Sequence, residues 1–165
     1  MLAATRGGVV MNRTNIVAEV GSALRASLAA SLQDVDHGAG TAQPEVQLKM
    51  LRLAESPVLR GHPAAHAQGP GETLPALELE YLAWIDGAET EAEERLIGAV
   101  MEWLHTSPLQ TVGKHGEGSA PVATWQVRLT PVALNRDELL RLWSVPAFAG
   151  RALLAFEARV SPRSA

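Results

Sequence analysis

The 165-residue chain contains no cysteine. Disulfides, thiolate nucleophiles and zinc–thiolate centres are excluded with it. Aromatic residues are sparse: four tryptophans, two phenylalanines and one tyrosine. No run approaches the ~20 apolar residues of a membrane span, so no membrane insertion is expected. Basic residues are outnumbered 14 to 18, for a formal net charge of -4, which argues against a dedicated nucleic-acid partner, since such proteins carry a basic face. The opening residues MLAATRGGVV hold one arginine and no long apolar core, a poor secretory signal. Residues 1–11 read as a flexible arm, with Met11 an alternative start, and residues 12–165 as a single domain.

The familiar devices of catalysis are also missing. There is no GxSxG nucleophile elbow, no HExxH zinc helix and no GxGxxG dinucleotide loop. His62 and His66 lie four apart, but Pro63 disfavours a helical turn through them and no nearby carboxylate completes a metal site. The stretch GKHGEGSAP departs from a phosphate-binding loop, because Lys114 is followed by His115 rather than Ser or Thr. Glu78 and Glu80 share one strand face and could form a carboxylate pair. Outward glutamates on an alternating strand are ordinarily its solvated side, and such a face can also meet basic residues of a partner. The chain is expected to be no enzyme and to hold no cofactor or metal.

What is present is periodic. Leu77, Leu79, Tyr81, Ala83 and Ile85 alternate with Glu78 and Glu80, the period-two signature of a half-buried strand. Asp86 and Gly87 break it. Thr90 and Glu93 then stand at capping-box spacing before Leu96, Val100 and Leu104, which recur at helical intervals. This strand–helix unit over residues 76–105 organises the rest. Ile16, Val20, Leu24, Leu28 and Leu32 predict a helix over residues 12–32, capped by Thr14 or Asn15. A strand follows over residues 45–54, where the apolar positions shift phase between Met50 and Leu51, from a bulge or from burial on both faces. Residues 55–73 read as a long loop and residues 107–123 as a flexible surface loop. Trp125, Val127 and Leu129 mark a third strand ended by Pro131. Asn135 and Glu138 start a helix whose apolar face holds Leu139, Leu140 and Trp143, and residues 151–160 form a fourth strand. The predicted class is α+β, order α-β-β-α-β-α-β: a mostly antiparallel four-stranded sheet covered by helices. The tryptophans read as core or interface residues rather than a base-stacking platform.

Three blocks together resemble a known family. These are VQLKMLRLAESPVLRG, LELEYLAWIDGAETEAEERLIGAVMEWLHTSPL, and VRLTPVALNRDELLRLWS followed by ALLAFEARV. In this order they are similar to the tube-terminator, or cap, proteins of phage-tail-like extracellular contractile injection systems. The resemblance covers most of residues 45–161. The segments 63–72 and 113–121 depart from the family pattern. The resemblance implies a non-enzymatic structural protein that forms a hexameric ring. Its partners would be itself, the inner tube protein and the sheath protein at the baseplate-distal end. Assembly in the bacterial cytoplasm, with release in the particle, is implied too. The alternative is a small-molecule-binding or enzymatic domain with its site between the long loops. Three interface candidates follow. Val58, Leu59 and Arg60 would touch a neighbouring subunit or the tube, with Arg60 gripping a carboxylate. Trp143 would be buried in the core or at a subunit contact. The C-terminal strand, with Leu154, Ala155 and Phe156, would be an edge rail for the sheath, unless it is central and the first strand is the edge.

Overall fold

A computed structural model describes residues 13–33, 35, 45–56, 76–87, 90–115 and 121–162. The elements are α1 (Arg13–Ser31), β1 (Glu45–Glu55), β2 (Leu77–Asp86), α2 (Thr90–Thr106), β3 (Leu109–His115), β4 (Pro121–Val132), α3 (Arg136–Trp143) and β5 (Leu153–Pro162). The α+β class holds, with five strands rather than four. The sheet is wholly antiparallel in the order β1-β2-β5-β4-β3.

The organising unit is as its sequence predicts. Alternate residues of β2 turn Leu77, Leu79, Tyr81, Ala83 and Ile85 into one cluster with Phe156, Ala158 and Val160 of β5 and Trp125, Val127 and Leu129 of β4. Helices α1 and α2 cover this face. The full row Ile16, Val20, Leu24, Leu28 and Leu32 is buried, as are Leu96, Val100, Trp103 and Leu104. The helices interlock where the Trp103 indole N–H donates to Ser27 Oγ at 3.1 Å. Phe156 sits at the centre, stacked on Tyr81 at 5.4 Å and edge-on to Trp103 at 5.9 Å.

Tyr81 is the sole tyrosine of the chain. Burial raises its phenol above the ordinary value of 10.0, and the nearby Arg25 charge offsets part of this. The neutral phenol is therefore the form the fold favours. Its contribution is complete below pH 10.0 and is lost as pH climbs from there through the folded-state value. Phenolate absorbance should show Tyr81 ionising later than free tyrosine, and Tyr81→Phe should remove that part of the alkaline loss of stability. Ionisation at the free value would contradict the burial.

Four expectations need correction. Part of the expected surface loop is strand β3, hydrogen-bonded to β4 and placing Val112 opposite Trp125 in the core. Pro131 does not end β4, which continues to Val132, opposite Ala155. Strand β3 reaches only Arg128 of β4, so beyond that point one side of β4 needs no donor and proline is tolerated. Helix α1 already includes Thr14 and Asn15, so neither caps it. Helix α2 already includes Thr90, and Glu93 accepts the Ala152 N–H at 2.6 Å, tying the helix start to β5. The phase shift in β1 is a bulge: the register jumps between Met50 and Arg52 and leaves Leu51 unpaired.

Candidate assembly surfaces

The second face of the sheet divides into two zones. Toward the ends where Trp84 and Leu153 pair, Leu82, Ala155 and Phe148 form a small buried cluster joined by Trp84, Leu134, Leu142 and Leu153. Phe148 reaches it from the turn after α3 and meets Trp84 edge-on at 5.0 Å. Gly150, with φ of 70°, turns the chain into Arg151, a left-handed geometry that glycine adopts without steric cost. Arg151 then clamps the end of β2, donating to Ile85 O at 2.8 Å and pairing with Asp86 at 2.7 Å.

The other zone is a charged lattice. Arg52, Glu80, Glu157 and Thr130 form one cross-strand row. Glu78, Arg159 and Arg128 form the next. Arg52 pairs with Glu80 at 2.9 Å, and Arg159 binds Glu157 at 2.9 Å and Glu78 at 3.5 Å. Buried Ser56 donates to Glu78 at 2.7 Å. Glu78 and Glu80 are thus engaged in ion pairs on this sheet face, and the Ser56 hydroxyl is committed as a donor to Glu78.

Helix α3 stands over the apolar zone. Its start is fixed by the capping box expected from sequence: Glu138 N–H donates to Asn135 Oδ1 at 3.0 Å, and Asn135 N–H donates to Glu138 Oε2 at 2.8 Å. Yet none of its residues is buried. Leu139 and Leu142 are half-covered, while Leu140 and Trp143 are 53% and 41% exposed, with Val145 beside them at 43%. The Trp143 indole N–H donates to Arg151 O at 2.9 Å, holding the ring on the surface. Trp143 is therefore not a core residue. Trp143→Ala should cost only about 1–1.5 kcal/mol, for partial burial and one hydrogen bond, against about 3–5 for a closed core site. Chemical denaturation checks this, and a loss in the core range would mean that the ring is enclosed.

The remaining candidates fare differently. Val58, Leu59, Arg60, His62 and His66 lie outside the described residues. Strand β5 is central, paired with β2 on one side and β4 on the other. The edge rail assigned to it does not exist: Phe156 and Ala155 are buried and Leu154 is half-buried. The open edges belong to β1 and β3. Sequence reasoning missed the apolar residues exposed there, namely Met50, Leu51 and Leu53 on β1 and Leu109 on β3. The phase shift at Leu51 was the available signal.

Between α1 and β1 lies a cavity of about 510 Å³, lined by Leu28, Leu32, Leu48 and Leu96 together with the polar Arg25, Gln33, Glu45 and Gln47. Arg25 donates to Leu48 O at 3.4 Å, which engages one of these polar groups with the backbone of β1. Among the described residues no cluster of histidine and acidic side chains could hold a metal, and no helix is long and apolar enough to cross a membrane.

The described residues form an α+β sandwich whose distinctive surfaces suit protein contacts: an exposed amphipathic helix, a charged sheet face and the two edge strands β1 and β3. The chain belongs to the family described as the Pvc16 N-terminal domain, which matches residues 17–162. It is similar in fold to the PVC sheath/tube terminator of an extracellular contractile injection system in its extended state. The TM-score is 0.57 at 15% identity, over 90% of this chain and 57% of that one. It is also similar to the tube-terminating cap of the anti-feeding prophage, with a TM-score of 0.56 at 15% identity over 88% of this chain and 55% of that one. The chain thus spans little more than half the length of either. No curated protein matches.

Proposed function

We propose that this chain is the tube-capping domain of a contractile injection system. It closes the inner tube at the baseplate-distal end and anchors the sheath there, as a hexameric ring. The observation that carries this reading is the family match over residues 17–162, nearly the whole described fold. The open charged face, free edges and exposed α3 also suit a part that works by contact. In this reading the protein is not an enzyme. Its partners are its own copies, the tube protein and the sheath protein, and it assembles in the bacterial cytoplasm within a particle that is released.

The test is co-expression with the tube and sheath proteins of a contractile injection system, followed by electron microscopy. The expected result is a six-fold density containing this chain at one end only, and tubes of uncontrolled length when it is omitted. Particles that form normally without it, or a chain that stays monomeric beside them, would overturn the assignment.

A further inference from the structure

Two helices on opposite sides of the sheet carry surfaces that match each other. Adjacent residues of a strand point to opposite faces. Helix α2 packs in the cluster that contains Tyr81, whereas α3 packs in the one that contains Leu82. The outward stripe of α2 runs through Glu91, Glu94, Gly98, Met101 and Glu102, all exposed. Gly98 stands at its middle. A Cβ added there would meet nothing within 4 Å, so nothing among the described residues requires a glycine at that point. A glycine inside a helix weakens it relative to alanine. What it provides is a notch, where another helix can come close. Met101, 43% exposed, lines the notch.

The outward stripe of α3 is the converse. Leu140 and Trp143 form a ridge, with Arg136 and Arg141 on its flanks. Among the described residues no ion pair is made by Arg136, Arg141, Glu94 or Glu102. Three charges run the other way: Asp137 and Glu138 on α3, the latter held in the capping box with Asn135, and Arg95 on α2, which already holds Glu91 at 3.6 Å. One surface is an apolar ridge between free cations, and the other is an apolar notch between free anions.

We propose that the α3 ridge of one copy docks on the α2 notch of the next copy. The occupant is a second copy of this chain because both halves of the fit, in shape and in charge, are present on one molecule. The contact is heterologous, so it leaves a free α2 and a free α3 at either end and propagates until a ring closes. This rests on the ring-forming reading above and gives it a surface.

Four variants, studied by sedimentation and electron microscopy with the tube protein present, test it. Arg136→Glu with Arg141→Glu should weaken self-association at least tenfold, and so should Glu94→Arg with Glu102→Arg. All four changes in one chain should restore association to within a few-fold of the original. Gly98→Leu should abolish association while leaving the thermal midpoint unchanged or higher, because a Cβ at this point meets nothing within 4 Å among the described residues. Unchanged association in either reversed pair overturns the proposal, as does failure of the fourfold variant to recover, which would assign these faces to tube or sheath. If the unaltered protein forms no ring with tube present, the capping assignment itself falls.

Discussion

Phe156→Ala should destabilise the protein by about 3–5 kcal/mol and lower its melting temperature by roughly 10 °C or more. Phe156 is fully buried, stacked on Tyr81 and met edge-on by Trp103. Its removal opens a cavity where the sheet, α1 and α2 converge. The Trp103 indole is held by Ser27, so it cannot swing in without losing that bond, and collapse of the cavity should be incomplete. Urea denaturation measures the loss. A change below about 1.5 kcal/mol, within the range of volume-conserving swaps, would mean that the core repacks freely around the site.

A larger effect is expected for Ala155→Pro. Ala155 lies opposite Leu82 on one side and Val132 on the other, in a strand with neighbours along both edges. Proline there removes a ladder donor that water cannot replace, and its ring intrudes on the adjoining strand. No cooperative unfolding transition should remain. The contrasting variant is Leu51→Pro, at the unpaired bulge of edge strand β1, where proline is a residue that sheets accept; it should fold. A native-like melt for Ala155→Pro would contradict the strand order.

The parts of the fold that could be read in advance are those whose burial is one-sided and long. Five α1 residues at helical spacing and five β2 residues at alternate spacing each face one cluster, and so leave a period in the sequence. Strand β3 leaves none. It is a seven-residue edge strand whose only buried side chain among those described is Val112, and one buried position has no period. The central place of β5 is set by pairing with residues distant in sequence. Its one local trace is that Leu153 and Ala155 are apolar on the face opposite Leu154 and Phe156, which is the mark of cover on both sides.

The candidate surfaces divide the same way. The LLRLW pattern revealed an amphipathic α3, but amphipathicity is equally consistent with a core-facing helix and with one awaiting another molecule. Only the three-dimensional placement distinguishes them. Phe148 was hidden because it reaches its cluster from an irregular turn, where no spacing rule applies.

The strand order also constrains how the chain can be synthesised and folded. Strands β1 and β2 can zip together early, and so can β3 and β4, because each pair is close in sequence. The two hairpins do not pair with each other; β5 lies between β2 and β4 and joins them into one sheet. Of these two pairings β2–β5 joins residues far apart in sequence, and closing it is entropically slow. Until β5 leaves the ribosome, the inner edges of β2 and β4 stand open side by side, at the moment when wrong pairing with another nascent chain is easiest. The sheet is therefore keyed by its final strand. A chain interrupted before residue 153 holds two hairpins that no strand joins and an unfinished core, a species for proteolysis rather than for incorporation into a particle.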